Sequence, residues 1–152
     1  MTIGDKLPEY LGIDQDGNEI LTSHYAGKKI ILYFYPKDNT SGCTAEANSL
    51  RDNYEQLQQQ GYVVIGVSPD SANSHKNFIA KNNLPFPLIA DTEHKLAEEM
   101  GAWGEKSMYG RKYFGILRST FITDGNGVIT ATFLPKEIKT KEHGCQILNL
   151  GK

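Results

Sequence analysis

Cys43 and Cys145 are the side chains of this sequence best suited to redox or nucleophilic chemistry, and only Cys43 stands where a thiol would be activated. A thiol reacts as its thiolate. Its pKa of about 8.5 falls to roughly 3.5–7.5 at a helix N-terminus or beside a cation. Cys43 follows the turn formers Asp38, Asn39, Thr40, Ser41 and Gly42 and opens a helical apolar rhythm at Ala47, Leu50, Tyr54 and Leu57. Glu46 is expected in the first turn of that helix, where a carboxylate favours the helix dipole. The sulfur is thus expected beside the unpaired N–H groups of a helix start. As an isolated residue Cys43 reads better as a small buried hydrophobe; the strand, turn and helix around it reverse this and favour the nucleophile. Cys145, near the C-terminus, reads as a partly buried structural thiol.

The elements that must position Cys43 follow from the apolar pattern. Lys29 to Tyr35 is a β-branched and aromatic run ended by Pro36, and its continuous apolar character predicts a central strand covered on both faces. The glutamines 58 to 60 and Gly61 close the helix after Cys43, and Tyr62 to Val67 forms the next strand, so a right-handed βαβ unit with a parallel pair is expected. A helix over Ser71–Asn82, a short strand at Leu88–Ala90 and a helix capped by Asp91 and Thr92 continue an α/β alternation. Thr120–Thr123 and Val128–Leu134 predict a hairpin about the turn Asp124-Gly125-Asn126-Gly127. Tyr10–Ile13 and Asp14–Ile20 predict another, placed at the edge of the main sheet after an extended lead-in, and Thr140–Leu150 predicts a closing helix docked through Ile147, Leu148 and Leu150. Gly101–Ile116 lacks a regular pattern and is read as a surface loop, its aromatics being the alternative wall of a shallow pocket.

The 152 residues suit one domain, 1–152, with a core that needs no staples. A net charge of −2 with dispersed Lys and Arg gives no footprint for nucleic acid, and no apolar run reaches membrane-spanning or signal-peptide length, so a cytoplasmic protein is expected. Two cysteines form no disulfide framework, and His24, His75, His94 and His143 have no ligand spacing, so solvated or capping histidines are expected, with no metal and no cofactor.

The run Pro36-Lys37-Asp38-Asn39-Thr40-Ser41-Gly42-Cys43 carries the Pro-x-x-x-Thr-x-x-Cys signature, and with Arg118 just before the strand Ser119–Thr123 the whole chain resembles the peroxiredoxins, most closely the Q type or bacterioferritin comigratory proteins. The resemblance implies a thioredoxin-like fold: a central mixed sheet flanked by helices, with an N-terminal hairpin. It implies Cys43 as the thiolate that attacks a peroxide and becomes a sulfenic acid. Thr40 would place its hydroxyl beside sulfur and peroxide, with a plain turn or helix-start role as the bland alternative. Pro36 would cover the site, and Arg118 would lower the thiol pKa and donate to peroxide oxygen. Glu46 either joins Arg118 or merely favours the dipole, and Arg51 is the substitute cation. The expected substrates are hydrogen peroxide and small organic hydroperoxides, the reductant a thiol such as thioredoxin or a glutathione/glutaredoxin system, and the protein a monomer or weak homodimer.

One departure shapes the expected cycle. Many Q-type members carry a resolving cysteine five residues after the first, where this chain has Asn48, and none lies in Ser71–Leu84, so a one-cysteine cycle is implied, with Cys145 as an unusual resolving partner the alternative. Rival readings are a redox sensor that uses Cys43 oxidation without turnover, a cysteine phosphatase, disfavoured by Ser49 where its loop needs an arginine, and a disulfide oxidoreductase, disfavoured by the lack of Cys-x-x-Cys.

Overall fold

A computed structural model describes residues 1–151. The strand that ends before the signature, β3 (Lys29–Phe34), lies at the centre of a five-stranded sheet. It pairs in parallel with β4 (Tyr62–Ser68), which pairs in parallel with β5 (Leu88–Ala90). On its other side runs the antiparallel β8 (Ser119–Thr123), followed by β9 (Ile129–Phe133). Alternation along β3 divides the core. Ile31, Tyr33 and Tyr35 join Cys43, Ala47, Leu50, Phe78 and Ile147 on one face, while Ile30, Leu32 and Phe34 join Leu7, Leu11, Leu96, Ala97 and Met100 on the other. Burial on both faces is why β3 shows no polar alternation.

Helix α1 (Ser41–Asp52) carries Cys43 and stops sooner than the apolar rhythm predicts. At Asn53 the side-chain amide donates to the Ser49 carbonyl at 2.8 Å, competing with the helical ladder, and a separate α2 (Tyr54–Gln59) follows. The remaining helices are α3 (Ala72–Asn82), α4 (Lys95–Met100) and α5 (His143–Leu148). Ser71 caps α3 by accepting from the Ser74 N–H, while Asp91 reaches forward to accept from Leu96 and Ala97 at the start of α4, leaving His94, not Thr92, as the residue that precedes the helix. The predicted closing helix is shorter, with 3-10 turns at Thr140–Glu142 and Asn149–Gly151, and Leu150 is exposed.

Two further expectations are corrected. Residues 101–116 are not a loop: β6 (Trp103–Met108) and β7 (Arg111–Ile116) form an antiparallel hairpin. Its turn is Tyr109-Gly110, both at positive φ, the geometry of a two-residue primed turn that Asn-Gly usually signals. Most of its side chains are exposed, so neither face imposes an apolar alternation. The N-terminal hairpin, β1 (Tyr10–Ile13) and β2 (Glu19–Leu21), is its own two-stranded sheet, held to β5 by the close approach of Gly12 to Ile89. The lead-in before it bonds to the start of β9, through Gly4 N–H to the Ile129 carbonyl and Leu7 N–H to the Gly127 carbonyl. Among the described residues no helix is long and apolar enough to cross a membrane.

Candidate active site

The β3–α1 turn exists because Pro36 follows the last β3 residues and Asn39, at φ 66°, swings the chain into the helix. Thr40 occupies the N-cap position with extended backbone, but its hydroxyl donates to the Lys37 carbonyl at 2.9 Å and makes no capping bond. The first-turn N–H groups beside Cys43 therefore keep their outward-facing capacity. Thr40 is exposed, Pro36 half-buried, and Cys43 is 1% exposed at the floor between them and the sheet.

Parallel and antiparallel register bring Arg118 to the sulfur. Phe34, at the end of β3, pairs with Ser119, the residue after Arg118, so the guanidinium projects toward the first turn of α1. Arg118 Nη2 donates to Cys43 Sγ at 3.2 Å, and Nη1 donates to Glu46 Oε1 at 2.5 Å. Arg118, Cys43 and Glu46 are thus brought together as the sequence suggested, and Glu46 takes the arginine-pairing role. The helix begins at Ser41, so Glu46 lies beyond its first turn. Arg51 is elsewhere: it donates to the Asn82 carbonyl and pairs with Asp52.

Glu46 and Arg118 are each pushed up in pKa for different reasons. Burial raises the Glu46 carboxyl to about 7 against the pull of Arg118. Burial works against the Arg118 charge, but the negative charges of Glu46 and Cys43 outweigh it. Glu46 Oε2 is buried without a hydrogen-bond partner, and His143 Nε2 lies 3.8 Å from it. A proton on Glu46 is therefore expected on Oε2, the oxygen Arg118 leaves free.

His143 is one of two buried histidines that the sequence did not reveal, where a solvated or capping residue is expected. Gln146 Oε1 lies 2.9 Å from His143 Nδ1, and Gln146 also donates to the Glu137 carbonyl, which fixes the amide orientation. Nδ1 therefore carries the hydrogen, and Nε2 accepts from the Thr120 hydroxyl at 2.7 Å. Burial, together with the Arg118 charge and against the Gln146 bond, lowers the His143 pKa to about 4, so the ring is neutral. The signal available in sequence was its i, i+3 spacing to Gln146 and Ile147's apolar flank, too weak to distinguish core from surface.

The second buried histidine, His75, meets Asp38 and Asp70, the one group of potential metal ligands among the described residues. Their atoms already serve one another and the surrounding hydrogen bonds. Lys106 on β6 also reaches the site's surroundings. Its pKa is lowered by burial and then by the Arg118 charge, and Cys43 partly offsets this. Cys145, expected to be partly buried, is exposed, 3.9 Å from Asn53 Oδ1.

The arrangement offers a sulfur, a fixed cation and helix N–H groups around a shallow floor. Comparison with known proteins agrees with that geometry. The family model described as AhpC/TSA matches residues 3–132. A Bacillus subtilis protein named peroxiredoxin Bcp is 44% identical over 146 residues, covering 96% of this chain and 92% of that protein. A cysteine-to-serine mutant of Xylella fastidiosa PrxQ superposes with a TM-score of 0.89 at 34% identity, over 99% of this chain and 94% of that one. The Xanthomonas campestris bacterioferritin comigratory protein, whose trapped complexes concern alkyl peroxide reduction, gives 0.87 at 31% identity, over 97% and 96%. With that coverage, and with the signature turn and Arg118 converging on one sulfur, this chain belongs to the AhpC/TSA family, in its Bcp or Q-type peroxiredoxin branch.

Proposed function

We propose that this peroxidase reduces hydrogen peroxide and small organic hydroperoxides through a Cys43 sulfenic acid and is returned to the thiol by an external reductant, thioredoxin or a glutathione/glutaredoxin system. The observation that carries the reading is the single guanidinium of Arg118 spanning Cys43 Sγ and Glu46. The thiolate attacks one peroxide oxygen, forming S–O as O–O breaks. Sulfur supplies the electron pair, and the other oxygen leaves as hydroxide or alkoxide and takes a proton from solvent. Arg118 and the α1 N–H groups stabilise charge along the breaking bond, in a floor that water enters poorly. Thr40 has committed its hydrogen to the Lys37 carbonyl, so its oxygen is left to accept from the peroxide O–H. Pro36 shields one side. Organic hydroperoxides are included because the Xanthomonas relative is described for alkyl peroxide reduction.

The cycle has one cysteine. Asn48 stands in α1 where a local resolving thiol would be. Cys145 contacts Asn53, ten residues beyond Cys43, which at about 1.5 Å of rise per residue places the two ends roughly 15 Å apart. A disulfide needs Cα atoms within about 7 Å. An outside thiol must therefore attack the sulfenic sulfur, displacing water to form a mixed disulfide that a second thiol cleaves. We place the protein, a single domain acting as monomer or weak dimer, in a reducing compartment such as the cytoplasm. The test is intact mass after one equivalent of hydrogen peroxide, with Cys145→Ser in parallel. One added oxygen at Cys43, trapped by a sulfenic-acid reagent in both proteins, is expected. Loss of two hydrogens, abolished by Cys145→Ser, would make Cys145 the resolver, and no reaction would end the peroxidase reading. Rapid stoichiometric oxidation without turnover on any thiol system would replace it with a sensor.

A further inference from the structure

Asp38 sits in the middle of the signature, two residues after Pro36 and two before Thr40, and unlike its neighbours Lys37 and Asn39 it is buried. Its Oδ1 accepts from the Tyr35 hydroxyl at 2.6 Å; its Oδ2 accepts from the Ser74 hydroxyl at 2.8 Å and lies 2.8 Å from His75 Nδ1. Its backbone N–H donates to Asp70 Oδ2 at 2.8 Å, and that oxygen also accepts from Ser68. His75 is fully buried on α3, and its other nitrogen, Nε2, lies 2.9 Å from the Ile89 carbonyl. A carbonyl only accepts, so Nε2 must carry hydrogen. On the other side, a carboxylate taking hydroxyl donors on both oxygens is being used as an ionised acceptor, so the proton between Oδ2 and Nδ1 belongs to the ring. The titratable groups facing His75 are Asp38 and Tyr35 from the β3–α1 side and Asp70 from the end of β4.

We propose that Asp38 and His75 form a buried ion pair, with a proton on each ring nitrogen of His75, and that this pair is a positioning device that fixes the Lys37–Thr40 turn so that the Thr40 oxygen faces the peroxide. The geometry supplies the route. The tie at Asp38 sets the direction of the adjoining Lys37 carbonyl, which takes the Thr40 hydrogen, and it bounds Asn39, held in the left-handed region that a side chain adopts reluctantly. Burial alone would push the Asp38 carboxyl up; the hydrogen bonds from His75 and Tyr35, the His75 charge and the Ser74 bond reverse this and hold it below its ordinary value. The pair touches neither Cys43 nor Arg118 in any hydrogen bond of the site, so it acts on the orientation of the acceptor and not on the sulfur.

The proposal rests on the role given to Thr40 above, and the experiment separates the two. In the intact protein at neutral pH, nitrogen-detected NMR of the imidazole rings is expected to show both nitrogens of His75 protonated; a nitrogen with a free lone pair overturns the ion pair, whatever any variant does. In parallel, kcat/KM for hydrogen peroxide and the rate of Cys43 alkylation by iodoacetamide are measured for Asp38→Ala, Thr40→Val and the double variant. Misplacing a reacting group by an ångström costs on the order of 100-fold. Asp38→Ala is expected to lower kcat/KM about 10- to 100-fold. Its alkylation rate and the pH dependence of that rate should match the parent, because iodoacetamide needs no acceptor at Thr40. The double variant should fall no further than Thr40→Val alone. Additive losses, or equal losses toward peroxide and iodoacetamide, overturn the positioning role. If Thr40→Val itself changes nothing, the reading of Thr40 fails while the ring-nitrogen result still decides the ion pair.

Discussion

Arg118 does two jobs with one planar group, and its replacements should separate them. Arg118→Lys keeps a cation but cannot donate in parallel to Cys43 and Glu46 from a rigid fork. It is expected to lose about 10- to 100-fold in kcat/KM, and Arg118→Ala about 100- to 1,000-fold, the range seen when one preorganised donor to a developing oxyanion is removed; stopped-flow oxidation of Cys43 followed by tryptophan or thiol signal measures both. Behind Arg118 the two buried titratable groups work in opposition. Glu46 is raised from 4.5 to about 7, so its share of stability is full below about 4.5 and is lost as the pH rises through 7. His143 is lowered from 6.5 to about 4, so its share is full above 6.5 and is lost as the pH falls through 4. In the parent these trends offset one another. Glu46→Gln should unmask the histidine, with the denaturation midpoint falling as pH is lowered from 6.5 to 4, and His143→Gln should unmask the carboxyl, with the midpoint falling as pH is raised from 4.5 to 7. Each trend is on the order of 1–3 kcal/mol. Denaturant titrations across that pH range read both. At this scale the sequence was informative where a motif fixes spacing, at Pro36, Thr40 and Cys43, and where a strand boundary fixes register, at Arg118. It was silent on Asp38, His75 and His143. A turn aspartate and a helical histidine have the same appearance in sequence whether they face water or each other, and burial is decided by elements forty residues away.

Between elements, the contact that seats α5 depends on a missing side chain. A Cβ on Gly144 would lie 2.6 Å from the Ser49 carbonyl oxygen and 2.7 Å from Asn53 Nδ2, and the Gly144 N–H donates to the Ser49 hydroxyl. Gly144→Ala is expected to cost about 1–3 kcal/mol by overpacking, read as a lower midpoint in urea. Because α5 also carries His143, which touches Thr120 and lies near Glu46, the same variant should slow peroxide reduction while leaving its product, the sulfenic acid, unchanged. The break at Asn53 that receives Gly144 shows how tertiary packing outruns local pattern. The apolar rhythm from Glu46 to Leu57 reads as one helix, and only the side chain of Asn53, turned back onto Ser49, divides it. The β6–β7 hairpin was illegible for a different reason. Pattern reading works through burial, and a hairpin whose Tyr109 and Phe114 face solvent is held by backbone pairing that no apolar alternation records. The five strands of the central sheet, three of them (β3, β4 and β5) nearly continuous in apolar character, were all anticipated from sequence.

For the whole molecule, the position of Cys145 makes a prediction about shape. Local resolution would require α1 to unwind so that its cysteine could meet a partner. In the one-cysteine cycle proposed above no such partner is used, so oxidation of Cys43 should leave far-UV circular dichroism and amide exchange across Ser41–Asp52 as they are in the reduced protein. A drop in helicity on adding one equivalent of peroxide would contradict this. The distance between the two sulfurs also sets a lifespan. A sulfenic acid that no neighbour can capture waits for a passing thiol, and during that wait a second peroxide can carry it to the sulfinic acid, which ordinary thiols do not reverse. The number of turnovers each molecule completes before it is spent should therefore rise in proportion to the concentration of reductant and fall in proportion to that of peroxide. Endurance, in such a chain, belongs to the surrounding thiol pool rather than to the protein.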